Sequence, residues 1–356
     1  MKKSLFILGA AFAVACGGAN QAKDAQNDIP TENINITANL TGFEGVEAGA
    51  VVELLSSEQG EPVKLTLDQN MSFTTNVDAV YGEAYTIAVG GKRVATIYQE
   101  GNDVVARYDA DAKNFDVEGT ELDDKSKAFA DSINALFEAL YASKSEAEAE
   151  ANYANLLAGL EASISSNLDN SISVKVLSIY AGYGGDQDKA AEFFASLDER
   201  MCYLKAYKAF ANTLPGADII DLNLPDANGK MISAKELCKS GKWVLVAFWG
   251  TWCGPCRGEI PHLVAAYEKF APKGLEIYGV SFDRPGTEER WKAFVADQNM
   301  TWVNVWGSAE DGGWDVAEPL NVTGIPANFL YSPEGKLVAK NPLGEDVERI
   351  LSENIK

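Results

Sequence analysis

Positive charge is scarce in this sequence: 30 lysines and arginines stand against 52 aspartates and glutamates, a formal net charge of −22 over 356 residues. A phosphate-binding surface should be basic, so nucleic acid is not an expected partner, and the same balance argues against a polybasic membrane surface. Histidine is nearly absent, with His262 alone, and there are five cysteines. A structural zinc site would need a second close Cys or Cys/His pair beside Cys253 and Cys256. Cys16, Cys202 and Cys238 are far apart in sequence, so no metal is expected. The apolar run Leu5 to Val14 is too short to span a bilayer permanently. No repeat of constant length is present.

What the chain does have is one dense stretch of chemistry. Trp243 to Phe248 contains no turn residue and reads as a strand buried on both faces. Cys253-Gly254-Pro255-Cys256 follows, and then Ile260, Leu263, Val264, Tyr267 and Phe270 recur at helical spacing. The cysteine pair therefore falls at a strand-to-helix junction. Free N–H groups and the positive end of the helix dipole favour a thiolate there and can lower a cysteine pKa from about 8.5 to roughly 7. Gly254-Pro255 makes a tight spacer, with the proline at a position whose N–H would be unpaired anyway. Cys253 is expected to be the more exposed and to attack; Cys256, one turn in, is expected to resolve the mixed disulfide. A peroxide-reducing cysteine would be expected in a Thr-x-x-Cys context, whereas Thr251 lies only two residues before Cys253.

The segment Val244 to Cys256 resembles the active-site strand and turn of the thioredoxin superfamily. Arg257-Gly258-Glu259-Ile260-Pro261-His262-Leu263 resembles its extracytoplasmic TlpA/ResA-like branch. The resemblance covers about residues 214–356 and implies a thiol–disulfide oxidoreductase of the protein-disulfide reductase type, needing no cofactor beyond the Cys253–Cys256 disulfide. It also implies that Leu320 to Leu330 carries a cis-proline at Ile325-Pro326, whose backbone pairs with an extended substrate beside Cys253. Trp252, Gly254 and Pro255 complete that substrate surface. One departure matters. Cytosolic thioredoxins bury an aspartate on the active-site strand where this chain has Ala247. Glu259, three residues beyond Cys256 and so a neighbour on the helix, is the expected proton handler. The Gly-Pro spacer matches that of thioredoxin, at about −270 mV, which favours a reductant.

The N-terminus resembles a bacterial lipoprotein signal: Lys2-Lys3, a short apolar core, and Ala13-Val14-Ala15 before Cys16. Residues 1–15 would be removed, Cys16 acylated, and 16–30 would form a flexible tether. The expected location is the bacterial envelope, lipid-anchored and facing the periplasm. Expected partners are disulfide-bearing envelope proteins, such as apocytochrome c, and an inner-membrane electron donor. In an oxidising compartment Cys202 and Cys238 could form a structural disulfide; alternatively they are two buried thiols.

Between tether and catalytic segment the periodicity changes twice. Residues 31–120 show short alternating strands with Gly, Asn and Asp turns, an antiparallel sandwich or small barrel. They resemble the small β domain that often precedes the thioredoxin-like domain in Bacteroidetes envelope lipoproteins. Residues 121–213 carry three stripes at helical spacing and read as a helical connector: Phe129 to Leu140, Tyr153 to Ile164, and Phe193 to Tyr207. Leu214-Pro215-Gly216-Ala217 marks the boundary to a βαβ…ββα segment. The expected architecture is thus multidomain, with a C-terminal α/β thioredoxin-like fold preceded by an antiparallel β domain and helices. The competing reading is a binding or scaffold lipoprotein whose first two segments carry the main role.

Overall fold

The computed structural model describes residues 29–356 with the exceptions of Gln59 and Asp311. The expected signal segment 1–15, Cys16 and nearly all of the expected tether lie outside the described residues. A division after Tyr207 separates two compact units.

The first unit opens with eight strands: β1 (Glu32–Asn39), β2 (Val51–Ser56), β3 (Val63–Thr66), β4 (Ser72–Ala79), β5 (Ala84–Val89), β6 (Lys92–Tyr98), β7 (Val104–Asp109) and β8 (Asn114–Glu118). They form two four-stranded sheets, ordered β4-β1-β7-β8 and β3-β2-β5-β6. Alternation decides which side chains meet between the sheets. Ile34, Ile36 and Ala38 of β1 point inward with Val52, Leu54, Ile87, Val104 and Ala106. On the outer face, Thr37 pairs with Thr74 across β1 and β4, and Asn33 pairs with Asn76. Two features depart from the sequence reading. β8 has only Phe115 and Val117 as its apolar positions and gave no strand signal. The β1–β7 pairing is parallel, with Ile36 opposite Val104, because the chain visits the other sheet twice before returning.

Helices follow: α1 (Leu122–Tyr141), α2 (Glu146–Ser165), α3 (Ile172–Gly182), α4 (Gln187–Ala195) and α5 (Lys205–Ala211). Ser145 caps α2 by accepting the Glu148 N–H, and Asp186 caps α4 by accepting the Lys189 N–H. The second apolar stripe is the buried face of α2, with Leu156, Leu160 and Ile164. The third stripe is not one helix. Asp198 accepts the Arg200 N–H and starts a 3₁₀ turn over Glu199–Tyr203, between α4 and α5.

The second unit begins with a two-stranded hairpin, β9 (Asn223–Pro225) and β10 (Met231–Ser233), and a short helix α6 (Ala234–Lys239). Then come β11 (Trp243–Trp249), α7 (Gly254–Phe270), β12 (Leu275–Ser281), α8 (Glu288–Asp297), β13 (Val303–Trp306), β14 (Ala327–Tyr331), β15 (Leu337–Lys340) and α9 (Glu345–Asn354). These five strands form one mixed sheet, β13-β12-β11-β14-β15: β11, β12 and β13 are parallel, β14 runs antiparallel to β11, and β15 runs antiparallel to β14. Both faces are covered, as the continuous apolar sequence of β11 requires. Leu245, Ala247 and Trp249 pack with α7, α8 and α9, while Val244, Val246 and Phe248 pack with α6 and the hairpin. This is the thioredoxin-like arrangement.

One cysteine expectation needs correction. Cys238, on α6, is a free thiol buried in the second core, so it makes no bridge to Cys202. Burial pushes its thiol pKa up to about 11. Iodoacetamide at pH 8 should therefore leave Cys238 unlabelled in the native protein and label it after denaturation without reductant. Peptide mass mapping reads both; no label in the denatured, unreduced sample would mean that Cys238 is bridged.

Candidate active site

The site is built where β11 ends and α7 begins. Cys253 is the N-cap of α7, with extended backbone, and its Sγ accepts the Cys256 N–H at 3.1 Å. A sulfur thus fills the place usually held by a serine, threonine or aspartate oxygen. The two cysteines form a disulfide. Both are buried, Cys253 at 4% and Cys256 at 1% exposure, so the expected contrast in exposure is slight in this state. Gly254 and Pro255, on the first turn of α7, are exposed, as is Trp252 just before it.

Trp252 is a fixed platform. Its indole N–H donates to the Phe282 carbonyl at 2.8 Å, and its ring stacks on Trp314, which stacks on Phe282. Opposite the sulfurs, the Ile325–Pro326 peptide is cis, and the Ile325 carbonyl oxygen lies 3.7 Å from Cys253 Sγ. That carbonyl ends a loop leading into β14, so it can also receive an N–H from an extended chain laid beside Cys253.

Two carboxylates flank the pair in opposite environments. Glu259 is buried on α7 and accepts the Gly344 N–H, at 2.9 and 3.1 Å to its two oxygens. Gly344 takes φ 57°, which a glycine supplies without strain. Burial raises the Glu259 pKa above the usual carboxylate range; the Gly344 N–H and His262 pull it partly back. Asp283 is buried just past β12 and is fully engaged: it accepts from the Thr251 N–H at 3.1 Å, from the Thr251 hydroxyl, and from Ser281 Oγ at 2.6 Å. It ties the loop before Cys253 to the neighbouring strand.

Sequence reasoning singled out Glu259 but missed Asp283, Trp314 and Gly344, which reach the site from other strands and loops. The available signal for Asp283 was its place at the carboxyl end of a parallel strand beside the active-site strand, where sites of α/β sheets gather. Cys16 lies outside the described residues, and neither Cys202 nor Cys238 is part of this constellation. Among the described residues no group of three His, Cys, Asp or Glu side chains could hold a metal ion.

A disulfide held at a helix N-terminus, beside a carbonyl able to pair with a guest chain, can exchange with a thiol of another molecule. That is the chemistry of thioredoxin-like thiol–disulfide oxidoreductases. The AhpC/TSA family model matches residues 215–340. Thiol-disulfide oxidoreductase ResA of a Bacillus cereus strain is 34% identical over 125 residues, 35% of this chain and 68% of that protein. Its counterpart in Bacillus thuringiensis subsp. konkukian is 31% identical over 141 residues, 40% of this chain and 76% of the relative. A solved thioredoxin domain of a thiol-disulfide oxidoreductase from Bacteroides vulgatus is 34% identical, covering 40% of this chain and 98% of that one, with a TM-score of 0.37. The chain belongs to the ResA-like thiol–disulfide oxidoreductases.

Asp283→Ala should cost roughly 2–3 kcal/mol, since it leaves the buried donors of Thr251 and Ser281 without an acceptor. Asp283→Asn, which keeps one carbonyl oxygen, should cost less. Denaturant midpoints at constant slope measure both; equal stability of Asp283→Ala and the parent would remove this anchoring role.

Proposed function

We propose that the protein is a lipid-anchored, periplasm-facing reductant of disulfides in envelope proteins, apocytochrome c among the candidate clients. The observation that carries this reading is the Cys253–Cys256 pair at the start of α7, facing the Ile325 carbonyl. The Gly-Pro spacer supports the reducing direction, and the signal-like sequence ending at Cys16 supports anchoring. Among the described residues no helix is long and apolar enough to cross a membrane.

The reaction starts from the dithiol. The Cys253 thiolate, stabilised by the free N–H groups of α7, attacks one sulfur of the client disulfide, and the other client sulfur leaves with its electron pair. A mixed disulfide now joins Cys253 to the client. Cys256 gives its proton to the Glu259 carboxylate, and its sulfur attacks Cys253 Sγ. The Cys253–client bond breaks, the client leaves as a thiolate, and the Cys253–Cys256 disulfide remains. Two electrons have passed to the client. An inner-membrane thiol donor must return them by the reverse exchange.

Cys256→Ala in the full-length protein should stall this sequence at the mixed disulfide. Non-reducing gels of fractionated cells should then show reductant-sensitive adducts in the membrane fraction. No adduct would refute the reductase reading; adducts confined to the soluble fraction would refute the anchor.

Glu259 makes the resolving step depend on pH in a defined direction. Its carboxylate accepts a proton only when ionised, and its pKa lies above the ordinary value. Resolution should therefore slow as pH falls through that raised pKa, earlier than for an exposed carboxylate. Glu259→Gln should remove this limb and slow resolution at neutral pH by about 10²-fold. Single-turnover kinetics from pH 5 to 9 resolve attack from resolution; an unchanged profile would exclude Glu259 as the base.

A further inference from the structure

On the α7-facing side of the sheet, one row of residues crosses four strands: Asn328, Ala247, Gly279 and Asn304 are directly paired on β14, β11, β12 and β13. The two in the middle have almost no side chain, so α7 does not close onto the sheet there. A cavity remains, with about 10 Å³ of space for water centres, and Cys256, Glu259, Trp249, Trp302, Ala247 and Gly279 are in its wall. That is room for about one water molecule.

The polar atoms around it are unusual. The indole nitrogens of Trp249 and Trp302 and the Oδ1 of Asn304 are buried without a hydrogen-bond partner. Trp249 is 4% and Trp302 6% exposed. The Asn304 amide nitrogen is already committed to the Met300 and Trp302 carbonyls, each at 2.9 Å. All three orphan atoms converge on Gly279: a β-carbon there would lie 3.0 Å from Trp302 Nε1, 3.1 Å from Asn304 Oδ1 and 3.3 Å from Trp249 Nε1. Two donors and one acceptor, all nearly dry, meet over the residue that leaves the gap. Buried polar groups of native proteins are paired, with water when not with protein.

We propose that this cradle is a water site whose bound water donates a hydrogen bond to the Cys256 sulfur and stabilises its thiolate. Both lone pairs of the water are taken by the two indole N–H groups. Its hydrogens must then go to acceptors, one to Asn304 Oδ1 and the other into the cavity wall where Cys256 lies. The water is thereby fixed as a donor, which favours the charged form of the sulfur at the moment its proton passes to Glu259. Trp249, Trp302 and Asn304 act through the water and are positioning residues. The inference rests on the resolving role given above to Cys256.

Few other charges compete. Near Cys256 on α7 stand Arg257, which is exposed, Glu259 and, three residues beyond that, His262. The four sheet residues facing it are uncharged, and the turn before α9 contributes the Gly344 backbone N–H. On β12, Glu276 is engaged by Lys242 and Tyr267. Lys340 pairs with Phe329, whose side chain packs on the opposite face of the sheet.

The test is the titration of Cys256 in the full-length reduced protein, followed through the ¹³Cβ shift of labelled cysteine in a Cys253→Ser background. Trp302→Phe and Trp249→Phe each remove one donor and keep a ring. Each should lower the Cys256 thiolate fraction at a given pH by up to about tenfold, a rise of about one pKa unit. Gly279→Ala fills the site with a methyl while leaving both indoles, and should have the same effect. The dispersion of the spectra shows that each variant is folded, and either tryptophan variant suffices if the alanine variant is not. Unchanged titration in the folded tryptophan variants overturns the proposal. So does a rise in Trp302→Phe with none in Gly279→Ala, since the indoles would then act without water. Glu259→Gln in the same background separates the two readings: if it alone alters the titration, the base stands and the water falls. If Glu259→Gln with Cys253 intact leaves single-turnover resolution unchanged while the tryptophan variants shift Cys256, the water stands and the base falls.

Discussion

The unpaired amide hydrogens at the first turn of α7 are the constraint on which the second unit depends. A helix start needs an acceptor, and here the acceptor is a sulfur that must also be free to change partners. An oxygen cap would be inert. The sulfur of Cys253 satisfies the same hydrogens as a disulfide, and more strongly as a thiolate. The rest of the unit holds that junction in place. β11 is buried on both faces so that the strand end cannot drift, Asp283 ties the loop before the cap to β12, and Trp252 is pinned to the Phe282 carbonyl.

Glu259 and Asp283 show how environment assigns roles to like groups. Both are buried acids in the same unit. Asp283 meets three donors and serves as an anchor. Glu259 meets one backbone N–H in apolar surroundings, so its charge is poorly supported and its proton is exchangeable. With Ala247 on the active-site strand, no acid projects from the centre of the sheet towards α7. In the proposed reaction the proton is handled from the helix side instead.

The legible parts of the sequence were those encoded locally. Cys253 to Glu259 lies within two turns of one helix, and the uninterrupted apolar run of β11 announces a two-faced strand. α3 was less legible: Ile172-Ser173-Val174-Lys175-Val176-Leu177 is β-branched and buried nearly all round, so it shows neither amphipathic helical spacing nor a polar strand face. Trp302 and Asn304 were invisible as site residues because the pairing of β13 into the sheet brings them to α7, and register is not written in any one segment. Cys202 and Cys238 fail in the same way, since spacing in sequence says nothing about distance in space.

The parallel pairing of β1 with β7 sets an order of assembly for the first unit. β1 sits between β4 and β7, so its second edge stays unpaired until the chain has been made through Asp109. The antiparallel half, β1 with β4, can close early; the other edge is a waiting template for any extended segment. Loop closure over this span is slow compared with hairpin formation, and contacts so distant in sequence give the unit high contact order. Each newly made chain therefore passes through a state with an open hydrogen-bonding edge, and its yield depends on how crowded its surroundings are while that edge is bare.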